Sequence, residues 1–149
     1  MVFDEDSIYK HLELLRSYLR DLEGLRTEID GPGILREDRK LQARTLFALQ
    51  MAVQSCLDMA GHLVAELGLP RPEENAELFS TLAGAGYLDS VLAAKMRAMT
   101  RFRNLIVHLY WTVDFDRVFD ILQRDLPDFT RFEKTVVALL ENPPQSVPL

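Results

Sequence analysis

The chain has 149 residues, of which 48% are hydrophobic and 27% charged. This length and composition suit one globular domain with a sizeable core. The formal net charge of −6 at pH 7 argues against broad, non-specific binding of nucleic acid. No apolar run approaches the roughly 20 residues of a membrane span, and residues 1–7 are acidic and lack the apolar segment of a signal peptide. The single cysteine, Cys56, cannot form an internal disulfide, so these features together predict a cytoplasmic protein.

The first half of the chain predicts two long helices separated by a turn. Asp6 or Ser7 can cap the first helix, and the Asp-Gly-Pro-Gly segment at 30–33 ends it. Its apolar residues form one stripe at helical spacing: Ile8, Leu12, Leu15, Leu19, Leu22 and Ile29. The second helix, from about residue 35 to 67, has a stripe close to a heptad and rich in small residues: Leu41, Thr45, Ala48, Ala52, Ser55 or Cys56, Met59 and Leu63.

A short helix and a third long helix are predicted next. Residues 68–72 contain one glycine and two prolines and are expected to end the second helix. A short helix from about 75 to 83 then ends at the Gly-Ala-Gly turn, 84–86. The following long helix is predicted to run from Leu88 to Tyr110 or Trp111 and to be strongly amphipathic.

Asp114 or Asp116 is expected to cap the last helix, whose apolar positions continue to Leu139. Pro127 removes one backbone donor and should kink or split this helix. There is no alternation typical of strands and no internal repeat. The sequence therefore predicts an all-α, up-and-down bundle of four long helices and one short helix over residues 1–141, followed by a flexible Pro-rich tail, 142–149.

One face of the third long helix carries residues that a structural helix does not require. At about 100° per residue, a helix through Trp111 places Tyr110 close to Arg103, and His108 about 140° from Arg103. Between Arg103 and His108 lie Asn104 and two apolar residues, Val107 and Trp111, while the packing arc opposite holds Ala98, Phe102, Leu105, Ile106 and Leu109. An exposed face of this mixed kind usually meets a partner.

The spacing Arg103-X4-His108-X-Tyr110 resembles the motif of the HepT-like ribonucleases of the HEPN superfamily. Further similarities extend over most of the chain: Phe102-Arg103-Asn104 at the start of the motif, Asp114 after it, Phe79-Ser80-Thr81-Leu82 before a glycine turn, and Leu126-Pro127-Asp128-Phe129 in the closing helix. The resemblance implies a homodimeric endoribonuclease toxin of a type II/VII-like toxin–antitoxin pair, with the motif helices meeting in a cleft at the interface.

The same resemblance implies a role for each motif residue. Arg103 and His108 would be catalytic, and Asn104 would shape the site. Tyr110 would be the residue that a partner nucleotidyltransferase modifies with AMP, which places charge and bulk where RNA phosphate must lie. No cofactor and no metal ligand are implied.

These residue types suit metal-independent RNA cleavage, which needs a base, an acid and a cation on the phosphate. A histidine can act as base or acid near neutral pH, and an arginine can hold phosphate oxygens with its forked donors. Because Arg103 and His108 lie about 140° apart on one helix, a second copy across a two-fold axis would complete the site and cover Val107 and Trp111.

Other signals favour structural roles. His11 is expected at the edge of the bundle, Asp58 and His62 form a local pair one turn apart, and Cys56 is expected to be inert inside an apolar helix. Two basic clusters, namely Arg36, Arg39, Lys40 and Arg44 and then Lys95, Arg97, Arg101 and Arg103, either hold RNA locally or are solvated helix faces.

Two alternatives to the ribonuclease remain open. The chain is either a non-catalytic helical partner or substrate-binding subunit of a nucleotidyltransferase, or a plain helical interaction protein. A nucleotidyltransferase in the neighbouring reading frame would favour the ribonuclease and the partner subunit over the plain interaction protein.

Overall fold

The computed structural model describes residues 5–144 and consists of seven α-helices within that range. They are α1 (Glu5–Glu28), α2 (Pro32–Glu37), α3 (Arg39–Glu66), α4 (Glu77–Gly84), α5 (Ser90–His108), α6 (Phe115–Arg124) and α7 (Leu126–Glu141), with a 3-10 turn at Tyr110–Thr112. The predicted all-α class is confirmed. Most of the predicted tail, residues 145–149, lies outside the described residues.

The two longest helices, α1 and α3, pack antiparallel along their predicted stripes. Ser7 near the start of α1 reaches His62 near the end of α3, and Arg44 near the start of α3 reaches Glu28 at the end of α1. Every predicted stripe position of α1 except Leu19 is buried, and so is every one of α3. The small side chains Ala48, Ala52, Ser55 and Ala60 of α3 let neighbouring helices approach closely.

The second half of the chain packs around Phe79 and Phe132. Phe79 on α4 and Phe132 on α7 are buried and meet edge to face with ring centroids 5.4 Å apart. This contact joins α4 to α7, while α4 also packs on α5 and α3. Helix α5 is thereby held between other helices along its first four turns, which fixes the position of the motif at its end.

Several predicted boundaries need correction. Residues 32–37, expected to lie in a turn and at the start of a long helix, form the short helix α2, because Pro32 is favourable in a first helical turn. Asp38 then caps α3 by accepting bonds from the amides of Lys40 and Leu41. Helix α5 ends at His108, two to three residues earlier than predicted.

The last predicted helix is split into two near Pro127, as the sequence predicted. Helix α6 ends at Arg124, and Pro127 lies in the first turn of α7, where its missing donor costs nothing. Asp114 rather than Asp116 caps α6, and it accepts a bond from the Asp116 amide at 2.9 Å.

Candidate functional site

Helix α5 exposes the end of the motif because its earlier turns pack against the bundle and its last turn faces solvent. Asp89 caps the start and accepts a bond from the Leu92 amide at 3.0 Å. Residues at helical spacing then face the core: Leu92, Ala93, Met96, Met99, Phe102 and Ile106. Beyond Ile106 the side chains emerge, and Val107 and His108 are exposed. The motif therefore begins against the bundle and ends in solvent.

Arg103 is half-buried and reaches from α5 to α3. One terminal nitrogen, Nη2, donates to Oε1 of Gln54 at 2.5 Å, and Nη1 donates to Oδ1 of Asn104 at 3.0 Å. Its Nε is buried and has no hydrogen-bond partner in the described part of the chain. Two amide oxygens, one of Gln54 and one of Asn104, thus hold the guanidinium of Arg103.

A row of polar side chains continues behind Gln54. Gln54 Nε2 donates to Asp58 Oδ1 at 2.8 Å, and the other oxygen of Asp58 lies 3.7 Å from Nδ1 of His11 on α1. The His11 and His62 rings are 5.9 Å apart, and His62 bonds to Ser7 at 3.3 Å. The predicted Asp58–His62 pair is therefore wrong, because Asp58 is turned towards Gln54 and His11.

Sequence reasoning did not identify Gln54 as part of the site. A glutamine on a helix is ordinary, and its 49-residue separation from Arg103 leaves no local pattern. The signal that the sequence offered was the helical register, which places Gln54 and Asp58 one turn apart on α3.

Arg103 differs electrostatically from the three other cations of its cluster. Lys95 pairs with Asp128 at 3.6 Å, while Arg97 and Arg101 both pair with Glu77 at 3.7 and 3.5 Å. Among residues 5–144, Arg103 has no carboxylate partner, and both its bonds go to neutral amides. Its charge is therefore held in place without being neutralised.

His108 is the last residue of α5 and does not meet Arg103 within one chain. Five residues of helix separate them by about 7.5 Å along the axis and about 140° around it. Leu109 leaves the helical conformation at φ −138°, although its amide still bonds to Leu105. The structure thus brings Arg103 and Asn104 together and leaves His108 exposed on a different side.

Tyr110 and Trp111 do not lie on the helix face that the sequence predicted. They form the 3-10 turn beyond α5, where Tyr110 is 66% and Trp111 68% exposed. Their rings meet edge to face with centroids 5.3 Å apart. The predicted angular positions of both residues were wrong because α5 ends at His108, although their exposure, and that of Val107, was correctly predicted.

The first basic cluster is only partly neutralised. Arg36 pairs with Asp116 at 2.7 Å, which raises the pKa of the Arg36 guanidinium, and Arg44 pairs with Glu28 at 3.4 Å. Arg39 and Lys40 have no ion pair in the described part of the chain. Arg39 faces the 3-10 turn across a groove that also contains Tyr110.

The remaining candidate residues have structural environments. Cys56 is fully buried, and burial raises the pKa of its thiol well above the usual value, as expected for an inert cysteine. Within residues 5–144 no cluster of three or more His, Cys, Asp or Glu side chains is placed to hold a metal ion. In the same range no helix is long and apolar enough to cross a membrane.

The all-α bundle, with Arg103, Asn104 and His108 on helix α5, agrees with the fold implied by the resemblance to the HEPN superfamily. The family model "Ribonuclease HepT-like" matches residues 10–136. The chain therefore belongs to the HepT-like ribonuclease family, and the family prediction made from the motif is confirmed.

Individual proteins resemble this chain in sequence or in fold. The mRNA nuclease HepT of Shewanella oneidensis is 28% identical over 103 residues, which are 69% of this chain and 77% of that protein. The tri-AMPylated Shewanella oneidensis HEPN toxin, solved in complex with MNT antitoxin, superposes with a TM-score of 0.82 at 23% identity, covering 89% of this chain and 98% of that one. The cytosolic protein YutE of Bacillus subtilis, of unknown function, shares the fold with a TM-score of 0.78 at 13% identity, covering 97% of this chain and 96% of that one.

Proposed function

We propose that this protein is a metal-independent endoribonuclease toxin in which Arg103 and His108 carry the chemistry. The observation that carries the proposal is the environment of the Arg103 guanidinium. Gln54 and Asn104 hold it in place, yet it has no carboxylate partner in the described part of the chain. A fixed, uncompensated cation is suited to a phosphodiester. Family membership and the HepT relative of Shewanella oneidensis support RNA as the substrate.

The reaction follows from the two side chains. The 2′-oxygen of a ribose attacks the adjacent phosphorus as an imidazole accepts the 2′-hydroxyl proton. The bond from phosphorus to the 5′-oxygen breaks, and the leaving oxygen takes a proton from an imidazolium. Arg103 binds the non-bridging oxygens and stabilises the extra charge of the transition state. The products are a 2′,3′-cyclic phosphate and a 5′-hydroxyl end.

The geometry favours a homodimer as the active form. His108 and Arg103 lie about 140° apart on α5, so they address different sides of one chain. A two-fold axis beside the exposed Val107 would bring Arg103 of one copy towards His108 of the other, so that each composite site holds one guanidinium and one imidazole. Mixing inactive Arg103→Ala and His108→Ala proteins should then restore activity to heterodimers, whereas a site within one chain would gain nothing.

Tyr110 is proposed as the position at which a nucleotidyltransferase partner silences the enzyme. Its phenol is exposed two residues beyond His108 and attached to a short turn rather than packed in the core. The phenol oxygen would attack the α-phosphorus of ATP, lose its proton to solvent and release pyrophosphate. The tri-AMPylated HEPN toxin bound to MNT antitoxin supports such a partner. Tyr110→Phe should keep RNA cleavage and resist silencing. We place this activity in the cytoplasm.

The test is cleavage of RNA by purified, unmodified protein in excess EDTA, with the product ends identified. Activity that persists and yields 2′,3′-cyclic phosphate ends is the expected result. Loss of activity with EDTA, or 3′-hydroxyl ends, would overturn the mechanism. Absence of cleavage together with tight binding to a nucleotidyltransferase would instead favour the non-catalytic partner subunit.

A further inference from the structure

A groove lies between the 3-10 turn after α5 and the first turns of α3. Its volume is about 320 Å³, and Arg39, Gln42 and Leu46 on one side face Tyr110, Trp111 and Phe115 on the other. Sites for small ligands have volumes of about 300–1,000 Å³. The groove therefore has the size of a small ligand site, and the catalytic steps proposed above use neither Arg39 nor Gln42.

Its aromatic wall is unusual for a surface. Tyr110 and Trp111 are the two most exposed large hydrophobic side chains among the described residues, at 66% and 68%. Their edge-to-face contact restrains both rings without covering them. Exposed, restrained aromatic rings are the surfaces on which nucleic-acid bases stack, irrespective of sequence.

The opposite wall supplies an uncompensated positive charge. Arg36 and Arg44 are neutralised by Asp116 and Glu28, whereas Arg39 has no acidic partner within residues 5–144. Arg39 thus places one unpaired positive charge on this wall of the groove. A guanidinium at such a position matches the geometry of a phosphate.

Gln42 adds a fixed hydrogen-bond acceptor. Its Nε2 donates to the carbonyl oxygens of Leu35 and Arg36, both at 2.9 Å, so the side-chain amide cannot turn freely. The remaining Oε1 is available to accept a bond from an N–H group of a base. Stacking surface, cation and acceptor therefore lie around one groove.

We propose that this groove binds one nucleotide, with the base against Trp111 and the phosphate on Arg39. The inference rests on the proposed function for the source of that nucleotide, which is either a residue of the RNA beside the cleaved bond or the AMP carried on Tyr110. Both have the same chemistry, a base and a phosphate. An AMP on Tyr110 would then silence the enzyme by occupying a site that RNA needs.

Trp111 reports on the groove directly, because it is the single tryptophan of the chain. Its fluorescence is titrated with free AMP on the wild-type protein and with a short single-stranded RNA on His108→Ala, which prevents cleavage. Saturable quenching by both ligands is expected. Arg39→Ala should raise the Kd for both ligands about 10-fold. Arg20→Ala, which removes an exposed arginine of α1, should leave both Kd values unchanged.

The outcomes separate the groove from the catalytic proposal. Unchanged fluorescence, or an Arg39→Ala protein that binds AMP as tightly as wild type, would overturn the nucleotide site even if RNA is still cleaved. Saturable AMP binding by a protein that cleaves no RNA would support the site and refute the ribonuclease. Loss of RNA quenching after AMP transfer to Tyr110 identifies the attached nucleotide as an occupant, and unchanged RNA quenching would show that part of the inference to be wrong.

Discussion

Nη2 of Arg103 donates to Oε1 of Gln54 across the contact between α5 and α3, at 2.5 Å. Gln54 is held in turn by Asp58, to which its Nε2 donates. Because Gln54 is neutral, it orients the guanidinium without cancelling its charge. A carboxylate in the same place would form a stronger bond and would compete with the phosphate. The glutamine is therefore the appropriate partner for an arginine that must bind an anion.

Gln54→Ala should lower kcat for RNA cleavage by about 10- to 100-fold, since misplacing a positioned group by about 1 Å can cost as much. Activity would fall because the Arg103 guanidinium is less well oriented, and not because the protein unfolds. The thermal midpoint of unfolding should therefore change little. Gln50→Ala is the matched control, one turn earlier on α3 and also half-buried. Equal kcat values for the two variants would show that the Gln54 contact has no role in catalysis.

Arg103→Lys should cost about 100-fold or more in kcat/KM although it keeps the charge. An ammonium is a point charge and cannot bond to Gln54, Asn104 and a phosphate in the planar fork of a guanidinium. Steady-state kinetics on a defined RNA measure the loss. Arg101→Lys, which changes an exposed arginine paired with Glu77, should be near wild type. If Arg103→Lys retains full activity, Arg103 contributes charge alone.

Phe79→Ala should lower the free energy of unfolding by about 3–5 kcal/mol. Phe79 is fully buried and contacts Phe132 edge to face, so truncation leaves a cavity at the junction of α4 and α7. Urea denaturation measures the change. Phe47→Ala removes a ring that is 57% exposed and should cost about 1 kcal/mol or less. Comparable losses in the two variants would contradict the assigned core.

Asp125→Asn should stabilise the protein at neutral pH. Burial, followed by the charge of Asp128, raises the pKa of the Asp125 carboxyl from its ordinary 3.8. A carboxyl with a raised folded-state pKa binds its proton more tightly when folded, so its contribution to stability falls as the pH rises above 3.8.

Thermal midpoints measured from pH 3 to 7 test this directly. The gain from Asp125→Asn should be greatest at neutral pH and should shrink as the pH falls towards 3.8. Asp21→Asn, which changes an exposed carboxylate of α1, controls for net charge. An equal gain from Asp21→Asn would show that the overall charge, and not burial of Asp125, is responsible.

Periodicity and breakers predicted most of the fold. The stripes of α1 and α3 are buried as expected, and Pro127 marks the division between α6 and α7. The end of α5 was missed because Leu109 continues the apolar period of the helix and no glycine or proline occurs in residues 109–113. Nothing in that local pattern reveals that Leu109 leaves the helix at φ −138°.

The candidate site was predictable only in part. The motif spacing is the basis for proposing Arg103, Asn104, His108 and Tyr110, since all four are close in sequence. Gln54 and Arg39 lie on α3, and their relation to the motif depends on how α3 packs against α5 and the following turn. Such long-range contacts arise from tertiary packing, which leaves no spacing in one sequence to detect.

The role of His108 is tested most directly by chemical rescue. Single-turnover cleavage of a defined RNA in EDTA is measured for wild type, His108→Ala and Arg103→Ala, each with and without imidazole. We expect His108→Ala to lose about 10²- to 10⁴-fold in rate and to regain activity with imidazole, because His108 is exposed and a free base can take its place. Arg103→Ala should not respond. Cleavage by His108→Ala at the wild-type rate would contradict the proposed mechanism.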